Sequence, residues 1–188
     1  MKKYLYLVAI ALISCGAILS SCSDDKISGD SIFSTKAVER NAFDQWLYKN
    51  YTMPYNIEFQ YRLKTEETEQ AYNFVPADSA KTVKLAILTK YMWFDAYAET
   101  VGLDFIKENA PRIILVTGTP GYTRYRTEVI GSAEGGYKVR LGKVNALTDD
   151  QLKDYGSMNN YYFHTMHHEF MHILNQKKPY DESYDNIS

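Results

Sequence analysis

Apolar and polar positions alternate along the chain in ways that mark out most of its elements. From Thr35 to Tyr51, the residues Val38, Ala42, Phe43, Trp46, Leu47 and Tyr51 recur at three- and four-residue spacing. This is an amphipathic helix, with Ser34 or Thr35 as N-cap and Pro54 as its stop. Ile57 to Leu63 alternates apolar with polar, as a half-buried strand does. The acidic run Glu66 to Glu69 is a solvated loop or helix start. A longer helical pattern covers Ser79 to Thr100, where Val83, Leu85, Ala86, Leu88, Tyr91, Met92, Phe94 and Tyr97 form a wide apolar face. Ile113 to Val116 is continuously apolar, which places it inside a sheet. Gly118 to Gly121 is a turn, and Thr127 to Ser132 and Tyr137 to Val144 are strands joined across Glu134-Gly135-Gly136 as a hairpin. A last helix runs from Ser157 to about Gln176. The order predicts an α+β domain, with a twisted mixed sheet, a long backing helix and the final helix packed beneath the sheet.

The first residues belong to a different pattern. Lys2 and Lys3 precede an apolar run from Tyr4 to Leu19, and small residues follow. This is a signal peptide and not a membrane span. Leu19-Ser20-Ser21-Cys22 resembles the bacterial lipobox, which implies cleavage before Cys22 and acylation of that cysteine. The other cysteine, Cys15, lies within the signal, so the mature domain carries no disulfide. The expected organisation is a signal peptide at 1–21, a lipidated Cys22 with a flexible tether to residue 34, and a domain at 35–188. Ser23-Asp24-Asp25-Lys26 resembles the surface-export signal of Bacteroides-group lipoproteins, which implies an outer-membrane lipoprotein facing the cell surface.

Charge excludes one class of partner. The signal holds two of the 21 basic residues and none of the 23 acidic ones, so the mature part is net acidic. Nothing in that balance calls for nucleic acid. The 17 tyrosines are expected mainly in core and half-buried positions.

The chemistry concentrates in Tyr161 to Leu174, which reads YYFHTMHHEFMHIL and contains His168-Glu169-Phe170-Met171-His172. Helical residues four apart share a face, so two imidazoles at this spacing can converge on one zinc ion at roughly 2.0–2.1 Å from each nitrogen. Glu169, one residue on, is rotated beside the open position and not onto the metal. There it suits the role of general base toward a water that the metal acidifies. Peptide hydrolysis is the reaction this arrangement serves best. The bland alternative is a helix with an exposed histidine stripe and Glu169 as surface charge. His164 continues the stripe but lies about 12 Å along the axis from His172, too far to share one tetrahedral ion. His164 and His167 are therefore read as supporting or surface residues.

At this point the chain resembles the zinc-binding metallopeptidases found as lipoproteins in Bacteroides-group bacteria. The resemblance runs through Asp44-Gln45-Trp46-Leu47-Tyr48, Pro54-Tyr55-Asn56-Ile57-Glu58, Tyr61-Arg62, Lys143-Val144-Asn145, and His167 to Leu174 with Gln176. It implies a zincin-like fold, one zinc and a peptidase assignment that rests largely on the motif, with no defined substrate; the expected partner is a peptide or protein substrate. A catalytic zinc normally takes three protein ligands. Lys178 stands where metzincins carry a third histidine, and Asn175 where members of the resembled family often have one. Asp181, Glu182 and Asp185 are the acidic candidates that follow. The resemblance further implies an acidic helical segment beyond this point, and the chain is expected to be C-terminally truncated. Two other functions compete: a surface lipoprotein that binds glycans or glycoproteins with a degenerate metal site, and a structural zinc site. The embedded Glu169 speaks against the last, since a closed structural site has four ligands and no use for a base.

Overall fold

The computed structural model describes residues 39–64, 73–178, 181 and 183. They fall almost entirely in one compact unit, Arg40–Ser188. Cys22 and the tether lie outside the described residues. Among the described residues, no helix is long and apolar enough to cross a membrane.

The first helix, α1 (residues 42–55), begins later than its periodicity predicts. Asn41 is the N-cap: its side chain accepts the Asp44 N–H, and the Asp44 carboxylate accepts the Asn41 N–H. This reciprocal pair satisfies two of the donors that a helix start leaves open. Asp44 also accepts from Tyr61 Oη at 2.7 Å and Arg62 Nη2 at 2.8 Å, tying the helix to the chain beyond the first strand. Burial pushes its carboxyl up, but the hydrogen bonds from Tyr61, Arg62 and Asn41 outweigh this and hold it below its ordinary value.

Pro54 does not stop this helix. A π turn at Tyr48–Thr52 precedes it, with the Met53 N–H bonded five residues back to Tyr48 O. The widened turn takes in a residue that has no N–H to offer and would crowd a regular ladder. The stop is Asn56, in the left-handed conformation with φ of 55°. Leu47, Tyr51 and Tyr55, four apart, are the buried stripe.

The sheet has the order β1-β2-β6-β5, with β1 (Glu58–Gln60), β2 (Ile113–Val116), β5 (Gly131–Glu134) and β6 (Lys138–Leu141). β1, β2 and β6 are parallel, and β5 is antiparallel to β6 at the edge. The mixed sheet and the inner position of β2 match the sequence pattern. β2 is continuous in its apolar character because both faces are covered: Ile114 and Val116 enter the main core, while Leu115 is buried on the other face beside Arg140.

Two predicted strands are shorter and one is split. The Ile57–Leu63 alternation pairs over three residues only. In the predicted Thr127–Ser132 strand, β4 (Glu128–Val129) pairs with β3 (Gly121–Tyr122), and pairing with β6 starts at Gly131. The predicted Tyr137–Val144 strand pairs over Lys138–Leu141. The glycine hairpin is present. Gly135 and Gly136 have φ of 58° and 70°, and the Tyr137 N–H closes the turn on Glu134 O at 3.2 Å. Both central residues must take positive φ here, which is why glycines occupy them.

The long helix α2 (residues 79–101) is capped by Asp78 and widens into a π turn at Lys90–Asp95. Gly102, with φ of 97°, separates it from α3 (Leu103–Asn109), an element its periodicity does not reveal. α4 (Asp149–Lys153) is a second short helix, opened by a Thr148–Gln151 capping box. The last helix, α5 (residues 155–177), starts two residues earlier than predicted and has its π turn at Asn159–Phe163.

Phe59, Ile114, Val116, Val139 and Leu141 of the sheet share one core with Leu85, Trp93 and Phe94 of α2 and with Met166, Phe170 and Ile173 of α5. Full burial of each such side chain stabilises the fold by roughly 1.5–3 kcal/mol before ordering costs. The described tyrosines meet the expectation only in part, with Tyr61, Tyr97 and Tyr161 half-buried. Tyr51, Tyr55 and Tyr162 are buried, but Tyr48, Tyr91, Tyr122, Tyr125, Tyr137 and Tyr155 are exposed.

Candidate metal centre

α5 is held against the sheet along its length. Asp154 caps it by accepting the Ser157 N–H at 2.8 Å. The buried Tyr162 hydroxyl donates to Gly142 O, just past β6, at 2.8 Å. Phe170 inserts among Trp93, Tyr97 and Phe105, with ring centroids 5.6, 5.1 and 6.2 Å away. At the far end, Lys177 Nζ donates to Asn109 O at 3.0 Å. These ties set the rotation of the helix. Met166, Phe170 and Ile173 point into the core, so His164, His168 and His172 lie on the exposed face.

His168 and His172 converge. Their Nε2 atoms are 3.0 Å apart, and the rings are nearly perpendicular, at 89° with centroids 4.6 Å apart. Two nitrogens bound tetrahedrally at about 2.0–2.1 Å from one zinc would stand about 3.3 Å apart. The pair therefore matches the bite of a metal within a few tenths of an ångström. His164 stacks on His168 at 6.3 Å between centroids and does not turn toward the pair. His167 faces α2, half-buried, with Nδ1 3.3 Å from Tyr97 Oη. Burial, and then the neighbouring His164, depress its pKa below the usual imidazole value.

Glu169 is placed differently from both histidines. It is 9 % exposed, and among the described residues no hydrogen bond or ion pair reaches its carboxylate. Its oxygens are not among the buried side-chain atoms that lack a partner, so the stem is buried while the carboxylate itself opens to solvent.

The third ligand, left open between Asp181, Glu182, Asp185 and none, is not placed by the described residues. Among the described residues, no group of three His, Cys, Asp or Glu side chains is arranged to hold a metal. Asp181 accepts the Ser183 N–H at 2.8 Å and does not complete the pair. Glu182 and Asp185 lie outside the described residues. A tetrahedral centre needs convergence from separate segments, and periodicity within one helix cannot supply it.

Residues 36–188 match a family model described as "Putative zinc-binding metallo-peptidase". The chain belongs to this family. A crystal structure of a protein of the same description from Bacteroides caccae is 44% identical, with a TM-score of 0.59. The match covers 84% of this chain and 59% of that one, so the chain spans well under two thirds of this family member's length. No curated protein matches the chain. The assignment agrees with the resemblance carried by the sequence motifs, and the mixed sheet with its helices is consistent with a metallopeptidase of this family.

One residue that meets the candidate site escapes motif reading. Gly131, at the start of β5, lies directly over α5 beside Thr165 and Glu169. Its signal in the sequence is a glycine within a strand pattern, which marks close approach of another element.

Proposed function

We propose that the protein is a zincin-like, zinc-dependent metallopeptidase that hydrolyses peptide bonds in peptide or protein substrates. In this reading His168 and His172 are metal ligands and Glu169 is the catalytic base. The observation that carries it is the pairing of two converging imidazole nitrogens, 3.0 Å apart, with Glu169, the residue after His168, whose stem is buried and whose carboxylate has no protein partner among the described residues. Zinc bound there supplies Lewis acidity, which acidifies water and polarises a carbonyl.

The chain's own residues do the rest. Glu169 takes a proton from the attacking water and returns it to the departing amine, the ordinary service of a general base turned acid. β5 is the sheet's edge strand beside α5, so its outer edge suits an extended peptide, which would pair with it as an added strand. Cys22 is the lipid anchor, which makes the protein an outer-membrane lipoprotein displayed at the cell surface, with substrates met outside the cell.

A second reading rests on the exposed tyrosines. Tyr122 and Tyr125 lie on and beside the β3–β4 hairpin, and Arg124 stacks over the Tyr125 ring at 4.7 Å. Such a surface suits a glycan or glycoprotein ligand, and binding that survives both chelation and Glu169→Gln would favour this function.

The deciding experiment is metal content of the full chain, purified in detergent, by plasma mass spectrometry, alongside cleavage of a peptide library. Near-stoichiometric zinc, lost in His168→Ala, together with cleavage lost in Glu169→Gln, supports the peptidase. A folded wild-type chain without zinc sinks the metal site. Zinc without cleavage of any peptide sinks the enzyme assignment and leaves the metal site standing.

A further inference from the structure

We propose that Gly131 is a positioning residue for Glu169, a role that rests on the peptidase reading above. Gly131 opens β5 and pairs with Leu141 of β6. A Cβ on this residue would stand 2.2 Å from Thr165 Cγ2 and 3.3 Å from Glu169 Cγ. The first distance is far inside van der Waals contact. The second is tight enough that the glutamate stem would have to give way.

None of the neighbours gives way cheaply. Thr165 is β-branched and sits within the helix, so its χ1 is stiff. Its hydroxyl is already engaged, donating to Tyr161 O at 3.0 Å, and swinging the methyl aside would break that bond. The helix cannot slide away, because Tyr162 is bonded to Gly142 O and Phe170 is packed among three aromatic rings. The strand is held in turn by its pairing with β6 and by the Gly142 N–H to Ile130 O bond at 2.6 Å. A side chain at Gly131 therefore forces the edge strand and the helix apart at Thr165, and the stem of Glu169, itself in tight contact, shifts with them.

Gly118 makes a useful contrast. A Cβ there would meet Asn145 Nδ2 at 2.3 Å and Pro76 O at 2.5 Å, groups that staple loops far along the chain from the histidines. Its tightness is architectural, whereas that of Gly131 is directed at the carboxylate. The bare backbone at Gly131 lets β5 lie flat on the helix and form one wall of the slot that holds Glu169.

The test compares wild type, Gly131→Ala, Thr165→Ser and the double variant, each as the full zinc-loaded chain. Thr165→Ser removes the clashing methyl and keeps the hydroxyl. Gly131→Ala is expected to lower kcat by about 10²-fold, the order that a misplacement near 1 Å costs. KM and bound zinc stay at wild-type values, and Thr165→Ser restores most of the kcat. A loss of kcat that persists undiminished in the double variant overturns the proposal, as does a Gly131→Ala protein as active as wild type.

A readout that needs no catalysis is the ¹³C carboxyl resonance of Glu169, assigned with Glu169→Gln. It is expected to move in Gly131→Ala and to return in the double variant. An unmoved resonance overturns the positioning role even in an active peptidase. A moved and rescued resonance in a protein that cleaves nothing upholds the contact while the peptidase reading fails.

Discussion

The helices α2 and α5 share a plan and differ in what they expose. Each runs for 23 residues and each widens into a π turn. Both press an aromatic and aliphatic face into the same core, where Trp93 and Phe94 of one meet Phe170 of the other. α2 is structural throughout. Its buried polar side chains are the small hydroxyls Thr82 and Thr89, and its outward surface carries residues such as Ile87 and Tyr91 with no convergent chemistry. α5 buries the stem of Glu169, leaves its carboxylate open, and presents two imidazoles aimed at each other. The lesson is that the core fixes the rotation of a helix, and the residues on the remaining face inherit that precision. A site on α5 is therefore placed by Phe170 and Tyr162 as much as by its histidines.

The largest expected effect separates the two faces of α5. His172→Ala removes one of the converging nitrogens, and zinc affinity should fall by more than the roughly 10–100-fold that loss of a mere outer-shell partner costs. Competition against a chelator checks this, and melting of the metal-free protein should stay near wild type, since the side chain is exposed. Undiminished affinity would remove His172 from the centre.

Glu169→Gln comes next. Cleavage should drop by about 10²–10⁴-fold, the usual worth of a general base, while zinc stays bound. If zinc leaves with the activity, Glu169 belongs among the ligands and the division of labour along the helix is wrong.

Core truncations ask whether the two helices are equal partners in stability. Phe170→Ala should cost about 3–5 kcal/mol and Leu85→Ala about 2–5 kcal/mol in denaturant unfolding. The sharper expectation is functional. Zinc affinity at 25 °C should weaken in folded Phe170→Ala and not in Leu85→Ala, because only the first loosens the rotation of α5.

The smallest effect concerns pH and belongs to α2. Tyr55 donates to Asp95 of that helix at 2.9 Å, and burial, followed by that hydrogen bond, pushes its phenol up to about 12. A raised value favours the neutral form in the folded state. The stabilisation is therefore complete below the ordinary phenol value of about 10 and is lost as pH rises through the folded one. Melting curves between pH 9 and 12 should decline more gently in Tyr55→Phe than in wild type. Identical slopes would show that the tie carries no stability.

How much of this was legible beforehand depends on range. The apolar stripe of α2, the inner strand Ile113–Val116 and the Gly135-Gly136 turn were all readable, because each follows from a period or a φ requirement within a few residues. The i, i+4 placement of His168 and His172 was readable for the same reason. Element ends were less so. Pro54 reads as a stop from its missing N–H, yet a π turn absorbs it, and the cap of this helix is Asn41, while Ser34 and Thr35 lie outside the described residues. Gly102, which ends α2, hides α3 from periodicity because a new helix starts at the next residue.

The amino-acid sequence by itself determined which side chains can meet on one helical face, since backbone geometry converts spacing directly into direction. It also carried the family, through motifs that run the length of the domain. The tertiary structure alone decided that β5 is the edge strand, that His167 turns to Tyr97, and that Gly131 lies on the stem of Glu169. Those contacts join segments some 30 to 70 residues apart, and no local period encodes them. They arise only when one core must be filled from both helices and the sheet at once, and that packing brings a histidine pair and a carboxylate together as a candidate site.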